Sequence, residues 1–394
     1  MEHTDEPRGG GPLEGIVIAD FTRVLAGPYA TMLLADMGAT VIKVESPGGD
    51  DTRTWRPPEH EGVSTYYLSV NRNKRAVALD LSDREDLDTA YALLDRADVF
   101  LENFKPGGLA KFGLDPDSVA ERWPHLVHAS ITGFGTASGT ALPGYDLLAQ
   151  AVSGMMTVTG EPDGAPQRSG VAIFDVITGL HAAIGVLGAL QERTRSGRGQ
   201  HLELNLLSSA LSGLVNQTSA AIAGGVTPHR MGNEHPSLYP YGPFRAADRE
   251  LIIAVGNDRQ FARLVEQLGR PELAEDPRFL TMKDRNAHRG ELGPLLEEAL
   301  AAQSAGEWFE QLRDAGIPCS PILTLPEGVE FAAGLGLDPV VEVGEQRIPT
   351  VRHPIRFSRT PARHELAPPA LDADRDWVRA WIDQTPPSTA ADAD

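Results

Sequence analysis

The chain has 394 residues, of which 41% are hydrophobic and 23% are charged, and its formal net charge at pH 7 is −20. This length and composition are typical of a globular protein with room for two or more domains. The excess of acidic residues argues against general binding to nucleic acid or anionic membranes, which requires a basic surface. No apolar run approaches the roughly 18–20 residues of a membrane span, and the acidic, glycine-rich start does not resemble a secretion signal.

The sequence also disfavours several kinds of site. Its single cysteine, Cys319, cannot form an intrachain disulfide, which suits the reducing cytoplasm, where we expect the protein to be. The metal-binding patterns H-E-x-x-H and C-x-x-C are missing, as is the G-x-S-x-G turn of serine hydrolases. We therefore predict neither a metal site nor a serine nucleophile.

Segments typical of strands and helices alternate in the first 225 residues. Strands are predicted at 15–22, 40–46, 75–82, 99–104, 128–135 and 201–207, and helices at 28–38, 83–97, 171–193 and 208–225. Such alternation is typical of a mostly parallel sheet. The helix at 171–193 contains three glycines, each of which costs about 1 kcal/mol relative to alanine. We expect this helix to approach a ligand or another helix closely.

The composition changes near residue 224, where a hairpin (243–256) and amphipathic helices (258–269 and within 290–315) follow. We predict an α/β protein with a Rossmann-like large domain, built on a parallel sheet, and a smaller inserted α+β domain. The predicted boundaries are 14–225 and 328–380 for the large domain and 226–327 for the small domain, with disordered tails at 1–13 and 381–394.

The opening strand–helix–strand unit also fits a nicotinamide-dependent oxidoreductase. Glu45 stands where such proteins carry the acid that binds the ribose. The turn at 25–28, however, reads Leu-Ala-Gly-Pro, with one glycine instead of the G-x-G-x-x-G pattern. This disfavours a dinucleotide cofactor.

Asp175 is a lone carboxylate in the apolar stretch VAIFDVITGL (171–180). A buried, unpaired carboxylate is costly unless it is hydrogen-bonded, neutralised or used in chemistry. With Ser169 or Gly170 as the helix cap, Asp175 falls in the first turn, where the helix dipole favours its ionised form. The residues leave two interpretations open, a nucleophile or base and a capping or ion-paired aspartate. His181 lies on another helix face and is predicted to be a packing residue.

The chain resembles the class III coenzyme A transferases, which include formyl-CoA and carnitinyl-CoA transferases and α-methylacyl-CoA racemase. The similarity covers roughly residues 14–360. It rests on a series of motifs: DFTRVLAGPYATMLLADMGATVIKVESPGGDDTR, NRNKRAVALDL, ENFKPGGLAKFGL, ASITGFG, PGYDLLAQAVSGMMTVTGEPDG, DVITGL, SGRGQHLELNLL and RMGNEHP. Each motif alone is weak evidence, whereas the series in this order is highly specific.

The resemblance implies a mechanism and an assembly. Asp175 would be the nucleophile, forming first a mixed anhydride with the acyl group of the donor and then an aspartyl–CoA thioester. Coenzyme A would be a substrate and product, with an acyl-CoA and a carboxylic acid as partners and no tightly bound cofactor. Members of the family form interlocked homodimers, which the resemblance implies here too.

The resemblance places the CoA contacts on Leu25, Ala26, Leu79, Asp80, Leu81, Ser82, Asn103, Phe104, Lys105, Lys111, Gly133 and Phe134. Two common basic residues of the family, which usually contact phosphates, are Ser46 and Ser82 in this chain. The candidates to replace that charge are Arg72, Lys74, Lys105 and Lys111.

Racemases of the family carry a histidine in a G-H-D stretch as a second acid–base group, where this chain has Gly-Tyr145-Asp. A phenol ordinarily loses its proton near pH 10 and is a poor base at neutral pH. The sequence therefore favours a CoA transferase, with a racemase as the alternative. Tyr145, together with Gly232 and His235 of the loop 231–242, is predicted to line the substrate pocket. A non-catalytic acyl-CoA-binding module is a further alternative.

Overall fold

A computed structural model describes residues 10–384 of the chain. These residues group into two compact units, the first comprising 10–155, 169–226 and 338–384 and the second comprising 156–168 and 227–337. The sequence had placed 156–168 and 328–337 in the large domain. In the structure they group with the second unit, where the Gly232 amide donates a hydrogen bond to the Gly160 carbonyl (3.0 Å).

The strands of residues 10–226 are, in chain order, β1 (Val17–Phe21), β2 (Thr40–Glu45), β3 (Glu59–His60), β4 (Val63–Ser64), β5 (Lys74–Ala78), β6 (Val99–Glu102), β7 (Val127–Thr132) and β8 (His201–Asn205). The helices are α1 (Ala26–Asp36), α2 (Thr65–Ser69), α3 (Arg84–Leu94), α4 (Pro116–Arg122), α5 (Asp146–Val152), α6 (Met155–Val158), α7 (Ile173–Ser196), α8 (Leu206–Gly213) and α9 (Val215–Ile222). The single helix predicted at 208–225 is therefore two helices.

Among the described residues, six of these strands form one parallel sheet in the order β5-β2-β1-β6-β7-β8. The predicted α/β architecture with a parallel sheet is confirmed. The chain winds from β1 through β2 to β5 at one edge, and then returns to β6 on the other side of β1. In sheets of this kind, ligands bind beyond the carboxyl ends of the strands at such a reversal.

Both faces of the sheet are covered, and β1, β2, β6 and β7 are buried along almost their whole length. Neighbouring residues of β1 illustrate the alternation, since Ile18 packs on the face covered by α1 and α7, and Ala19 on the face covered by α3. By length and composition, α7 would suit a membrane span, which the sequence analysis had not anticipated. Its buried side, which includes Ala182 and Val186, belongs to the core of the first unit.

The glycines of α7 and α8 lie where helices meet. A Cβ atom on Gly179 of α7 would be 2.6 Å from the carbonyl oxygen of Ala26 in α1. A Cβ on Gly213 of α8 would be 2.8 Å from the Ile177 side chain of α7. The predicted close approach of the helix is confirmed at Gly179, where the neighbour is α1, whereas a Cβ on Gly188 would have no neighbour within 4 Å.

The second unit contains an antiparallel sheet in the order β11-β10-β9. Its strands are β9 (Tyr241–Arg245), β10 (Glu250–Ala254) and β11 (Cys319–Pro321), and its helices are α10 (Asp258–Gln267), α11 (Met282–Ala287), α12 (Arg289–Leu300), α13 (Ala305–Asp314) and α14 (Leu325–Gly334). The hairpin predicted at 243–256 is formed by β9 and β10. Apolar residues of α10, α12 and α13 form the core of this unit with the hairpin.

The last part of the first unit adds β12 (Val340–Val343), β13 (Ile348–Val351) and α15 (Arg375–Asp383). β12 and β13 pair only with each other among the described strands. The carboxylates of Asp372 and Asp374 accept hydrogen bonds from the backbone amides of Ala78 and Ala76 (2.8 and 2.9 Å). This segment therefore covers the β5 edge of the sheet.

The predicted disordered tails are wrong where the structure describes them. α15 continues to Asp383, and the Arg96 guanidinium lies 4.1 Å from the centre of the Trp381 ring. At the other end, Leu13 packs against the core and its amide donates to the Met37 carbonyl (2.9 Å). Residues 1–9 and 385–394 of the predicted tails lie outside the described residues.

Candidate active site

A cavity of about 370 Å³ lies at the carboxyl ends of β1, β6 and β7, where the winding of the sheet reverses. Many of the residues predicted to act in the site line this cavity: Leu25, Ala26, Asn103, Phe104, Lys105, Gly133, Tyr145 and Asp175. They come from the turns after β1, β6 and β7 and from the starts of α5 and α7. The structure thus brings these residues together, while their individual roles stay predictions.

Other predicted contacts lie outside the lining of this cavity in the described chain: Leu79, Asp80, Leu81, Ser82, Lys111 and Phe134. Leu79 is buried in the core that contains α3, and the Lys111 ammonium group lies 4.6 Å from the centre of the Phe112 ring. Gly232 and His235, predicted to line the substrate pocket, belong to the second unit.

The turn after β1 is held in an unusual conformation. Val24 has a φ of +71°, in the left-handed region that β-branched residues rarely adopt. Its amide donates to both carboxylate oxygens of Asp50 (3.2 and 3.3 Å). The Arg23 amide donates to Oδ1 of Asn103 (3.0 Å), while Nδ2 of Asn103 donates to the Arg23 carbonyl (2.8 Å). These bonds fix the turns after β1 and β6 at the cavity wall.

Fully buried ion pairs lie beneath this turn. Nζ of Lys43 is 3.0 Å from the Asp50 carboxylate, and Nζ of Lys74 is 3.1 Å from the Asp20 carboxylate. Burial opposes ionisation of Asp20, but the charges of Lys74 and Lys43, with hydrogen bonds from Thr22 and Thr31, together lower the pKa of that carboxyl. Burial likewise lowers the pKa of Lys74 to about 8, although Asp20 acts against the shift.

This arrangement overturns two predicted phosphate contacts. Lys74 is completely buried against Asp20. Arg72, which is also buried, forms a forked pair with the carboxylate of Asp36 (2.5 to 3.2 Å). Since both cations already neutralise carboxylates inside the protein, neither is free to bind the phosphates of coenzyme A. Lys105, in contrast, lines the cavity.

Asp175 lies in the first turn of α7, as predicted, but the predicted helix cap is wrong. The residue at the cap position is Ala172, whose side chain accepts no hydrogen bond. Instead, Oδ1 of Asp146 in α5 accepts hydrogen bonds from the amides of Phe174 (2.8 Å) and Asp175 (3.1 Å). An amide-capping carboxylate from another helix thus lies directly beside Asp175.

The protonation of Asp175 differs from the sequence-based expectation of an ionised carboxylate. Burial, and after it the charge of Asp146, raises the pKa of Asp175 to about 7. No lysine or arginine among residues 10–384 forms an ion pair with it. Near neutral pH, both the acid and the carboxylate forms of Asp175 are therefore populated.

These observations agree with the comparisons with known proteins. The sequence profile described as CoA-transferase family III matches residues 13–375. The chain belongs to CoA-transferase family III.

Named relatives of this CoA transferase share most of its length. A succinate–glutarate CoA-transferase from Agrobacterium fabrum is 41% identical over 96% of this chain and 98% of its own length. An acetyl-CoA:oxalate CoA-transferase from Acetobacter aceti is 36% identical over 94% and 96%. The crystal structure of a CAIB/BAIF family protein from Brucella suis is 40% identical, covers 95% of this chain and 100% of its own, and superposes with a TM-score of 0.87.

The cavity of the transferase also contains residues that sequence reasoning missed. Arg23, Trp55 and Asp146 all line it. Each lies inside or next to a motif of the family, but only the fold shows that it faces the cavity. His181, predicted to pack, lies with its Nδ1 3.0 Å from Oγ of Ser209 in α8 and does not line the cavity. Within residues 10–384, no group of three or more His, Cys, Asp or Glu side chains is arranged to hold a metal ion.

Proposed function

We propose that this CoA transferase uses Asp175 as a covalent nucleophile. The observation that carries the proposal is a carboxylate that lines the cavity, has no counter-cation, and has a pKa raised to about 7. A carboxylate with a raised pKa is more basic, and therefore more nucleophilic when ionised, than one stabilised by a lysine. A capping or ion-paired aspartate would instead have its charge satisfied.

The proposed reaction proceeds in two balanced halves. The Asp175 carboxylate attacks the thioester carbonyl of the donor, so that the C–S bond breaks and CoA thiolate leaves, giving an aspartyl–acyl anhydride. The thiolate then attacks the aspartyl carbonyl, which releases the donor acid and leaves an aspartyl–CoA thioester. The acceptor carboxylate then attacks the carbonyl of the aspartyl–CoA thioester, which expels CoA thiolate and gives an aspartyl–acceptor anhydride. The thiolate attacks the acceptor carbonyl of this anhydride, which forms the new acyl-CoA and frees the Asp175 carboxylate. An anhydride is reactive enough to re-form a thioester, whereas a serine ester is not.

We propose that the acyl donor and the acceptor include dicarboxylic acids. Two relatives carry such acids in their names, as succinate, glutarate and oxalate. An anionic acceptor also suits the cavity because Arg23 and Lys105 line it. With succinyl-CoA as donor, glutarate should accept CoA faster than the monocarboxylate valerate of equal chain length. Faster transfer to valerate would overturn this assignment.

Oxygen labelling tests the nucleophile directly. When glutarate carries ¹⁸O in both carboxylates, each turnover should leave one acceptor oxygen on the Asp175 carboxylate. The peptide that contains Asp175 should therefore gain about 2 Da after a single turnover with succinyl-CoA, and approach a gain of about 4 Da after many turnovers, as both carboxylate oxygens are replaced. Turnover without this gain in mass would contradict a covalent role for Asp175.

Substitution gives a second test. Asp175→Asn should lower exchange by at least about a thousandfold, because it removes the attacking group. Asp88→Asn is the matched control, since Asp88 is an exposed aspartate of α3 paired with Arg84. A variant Asp175→Asn that retains a tenth of the turnover would exclude the nucleophile.

We also propose that the transferase is a cytoplasmic homodimer. Helices α7 and α9 carry strongly exposed apolar side chains, with Ile184 66% and Ile222 81% exposed. An uncovered apolar face of this kind favours association with a second copy of the chain. We expect the wild type to sediment as a dimer and the Ile184→Asp variant to dissociate at a higher protein concentration than the wild type. A monomeric wild type would contradict the proposal.

A further inference from the structure

We propose that Asp146 and Gln150 of α5 form a clamp that positions Asp175 for attack. Both are assigned as positioning residues, since their hydrogen bonds go to the start of α7 and to the segment that precedes it. The inference rests on the proposed role of Asp175 as nucleophile. It extends that role to two residues outside the helix that carries the nucleophile.

The first part of the clamp acts on the start of α7. The first amides of a helix have no partner within the helix and need an outside acceptor. In α7, Oδ1 of Asp146 accepts from the amides of Phe174 (2.8 Å) and Asp175 itself (3.1 Å). Because the backbone of Asp175 is bonded directly, a shift of Asp146 moves the Cα atom from which the attacking carboxylate extends.

The second part of the clamp acts on the segment that leads into α7. Gln150, one turn after Asp146 in α5, is completely buried. Its Oε1 accepts from the amide of Ser169 (2.8 Å), and its Nε2 donates to Oδ2 of Asp146 (2.5 Å) and to the carbonyl of Val171 (3.4 Å). The amide group thereby orients the Asp146 carboxylate and ties the entry segment to α5.

The position of α5 is itself fixed at the end of β7. A Cβ atom on Gly133, which follows β7, would lie 2.4 Å from Cα of Gly144. This contact of two glycine backbones brings α5, which begins at Asp146, close to the sheet edge that forms the cavity. The geometry of the clamp thus extends from the sheet through α5 to the first turn of α7.

The charge of Asp146 faces the same helix start. It adds to burial in raising the pKa of Asp175 to about 7. Tyr66 of α2 faces both carboxylates, and burial followed by their charges raises its pKa to about 12, so it is neutral. Other ionisable side chains of the cavity wall are Arg23, Asp51, Lys105 and Tyr145. Among the described residues packed on α7, those of α1 and α8 contribute no charge that shifts Asp175.

Three substitutions separate hydrogen bonding from charge. Asp146→Asn keeps an oxygen that accepts from the amides of α7 but removes the charge and the acceptor of the Gln150 bond, so the acidic limb of kcat/KM against pH should move to lower pH. Asp146→Ala and Gln150→Ala remove the bonds, and kcat should fall by about 10- to 100-fold, with KM for succinyl-CoA within about twofold. The Asp175 peptide should still take up ¹⁸O from glutarate, at the reduced rate.

The control is Asn257→Ala, which removes the cap of α10 in the second unit, where the Asn257 side chain accepts from the Gln260 amide (3.0 Å). It should lower stability without changing kcat or the pH profile. A purely structural role for Asp146 predicts the same result for Asp146→Asn and Asp146→Ala, and this would overturn the clamp. If Asp175→Asn retained turnover, the nucleophile would be wrong; if it were inactive while the Asp146 variants matched the wild type, only the clamp would be wrong.

Discussion

Two sets of inward-facing carboxylates in the first unit have opposite charges beside them. Beneath the turn after β1, each buried carboxylate has a lysine, as in the pairs of Asp50 with Lys43 and Asp20 with Lys74. At the start of α7, Asp175 has another carboxylate, Asp146, as its neighbour. Accordingly the pKa of Asp20 is lowered and that of Asp175 is raised to about 7.

The difference distinguishes a structural task from a chemical one. A carboxylate neutralised by a lysine holds a conformation, here the left-handed Val24 of the cavity wall. A carboxylate without a cation stays basic and available to an electrophile. Substitution should therefore change the free energy of unfolding in opposite directions. Removing one charge of a buried ion pair should lower it, whereas removing the charge of Asp175 should raise it.

The largest expected effect is on the paired set. Lys74→Met leaves the buried carboxylate of Asp20 without its nearest cation, and we expect a loss of about 3–5 kcal/mol in the free energy of unfolding, measured by urea denaturation. The control Lys283→Met changes an exposed lysine of α11 and should stay within about 0.5 kcal/mol of the wild type. Equal effects of the two substitutions would show that the buried pair does not matter for stability.

Removing the charge of Asp175 should instead increase the free energy of unfolding. Its folded pKa, about 7, lies above its ordinary value of 3.8. The wild type therefore loses stability as pH rises from 3.8 to about 7. Asp175→Asn should accordingly be more stable than the wild type at pH 8. We expect a gain of only about 2 kcal/mol, because the cavity keeps the carboxyl of the wild type partly solvated, and this gain should shrink toward pH 4.5. Urea denaturation at both pH values tests this, and a destabilised variant at pH 8 would contradict the contrast.

The sequence predicted the parallel sheet of the first unit, but not the buried ion pairs within it. Apolar runs that alternate with amphipathic helices are local patterns, and they predicted the parallel sheet correctly. The family resemblance made Arg72 and Lys74 candidates for phosphate contacts, whereas both are buried in ion pairs. Their burial depends on Asp36 and Asp20, which are distant in sequence and become neighbours only through the pairing of β1, β2 and β5.

Site residues could be predicted where their local sequence is unusual, but not where their role depends on a contact with a residue that is distant in sequence. Asp175 stands out as a lone carboxylate in an apolar segment, so it could be found directly. Its cap was assigned to the nearest suitable residues, Ser169 or Gly170, whereas the acceptor is Asp146, 29 residues earlier. That contact depends on the approach of Gly133 and Gly144, which no local pattern reports.

A buried histidine, His128, extends the comparison to basic groups, and its expected effect on stability is smaller. Burial, and then the neighbouring His201, lowers the pKa of His128 to about 3, and its ring stacks on Phe100 with the centres 4.6 Å apart. Its stability contribution is present above pH 6.5 and is lost as the pH falls toward 3. The wild type should thus lose about 1 kcal/mol between pH 8 and pH 5.5 through this residue.

His128→Phe removes the titrating ring and keeps the stacking, so the melting temperature should fall less between pH 8 and pH 5.5 than in the wild type. His229→Phe is the control, because His229 is exposed and should leave the pH dependence unchanged. If both variants kept the wild-type dependence, the acid sensitivity of the protein would arise elsewhere.

The smallest expected effect concerns Tyr145, which lies beside Asp146 in the cavity wall and is 63% exposed. Racemisation needs one base to remove the α-proton and a second group to return one on the other face, and Tyr145 stands where racemases of the family carry a histidine. We therefore expect no exchange of the α-proton of 2-methylacyl-CoA with deuterated water by the wild type. Tyr145→Phe should alter the preference among acceptor acids more than it lowers turnover with glutarate. Rapid uptake of deuterium with inversion at the α-carbon would mean that a residue other than Tyr145 supplies the second base and that the chain is a racemase.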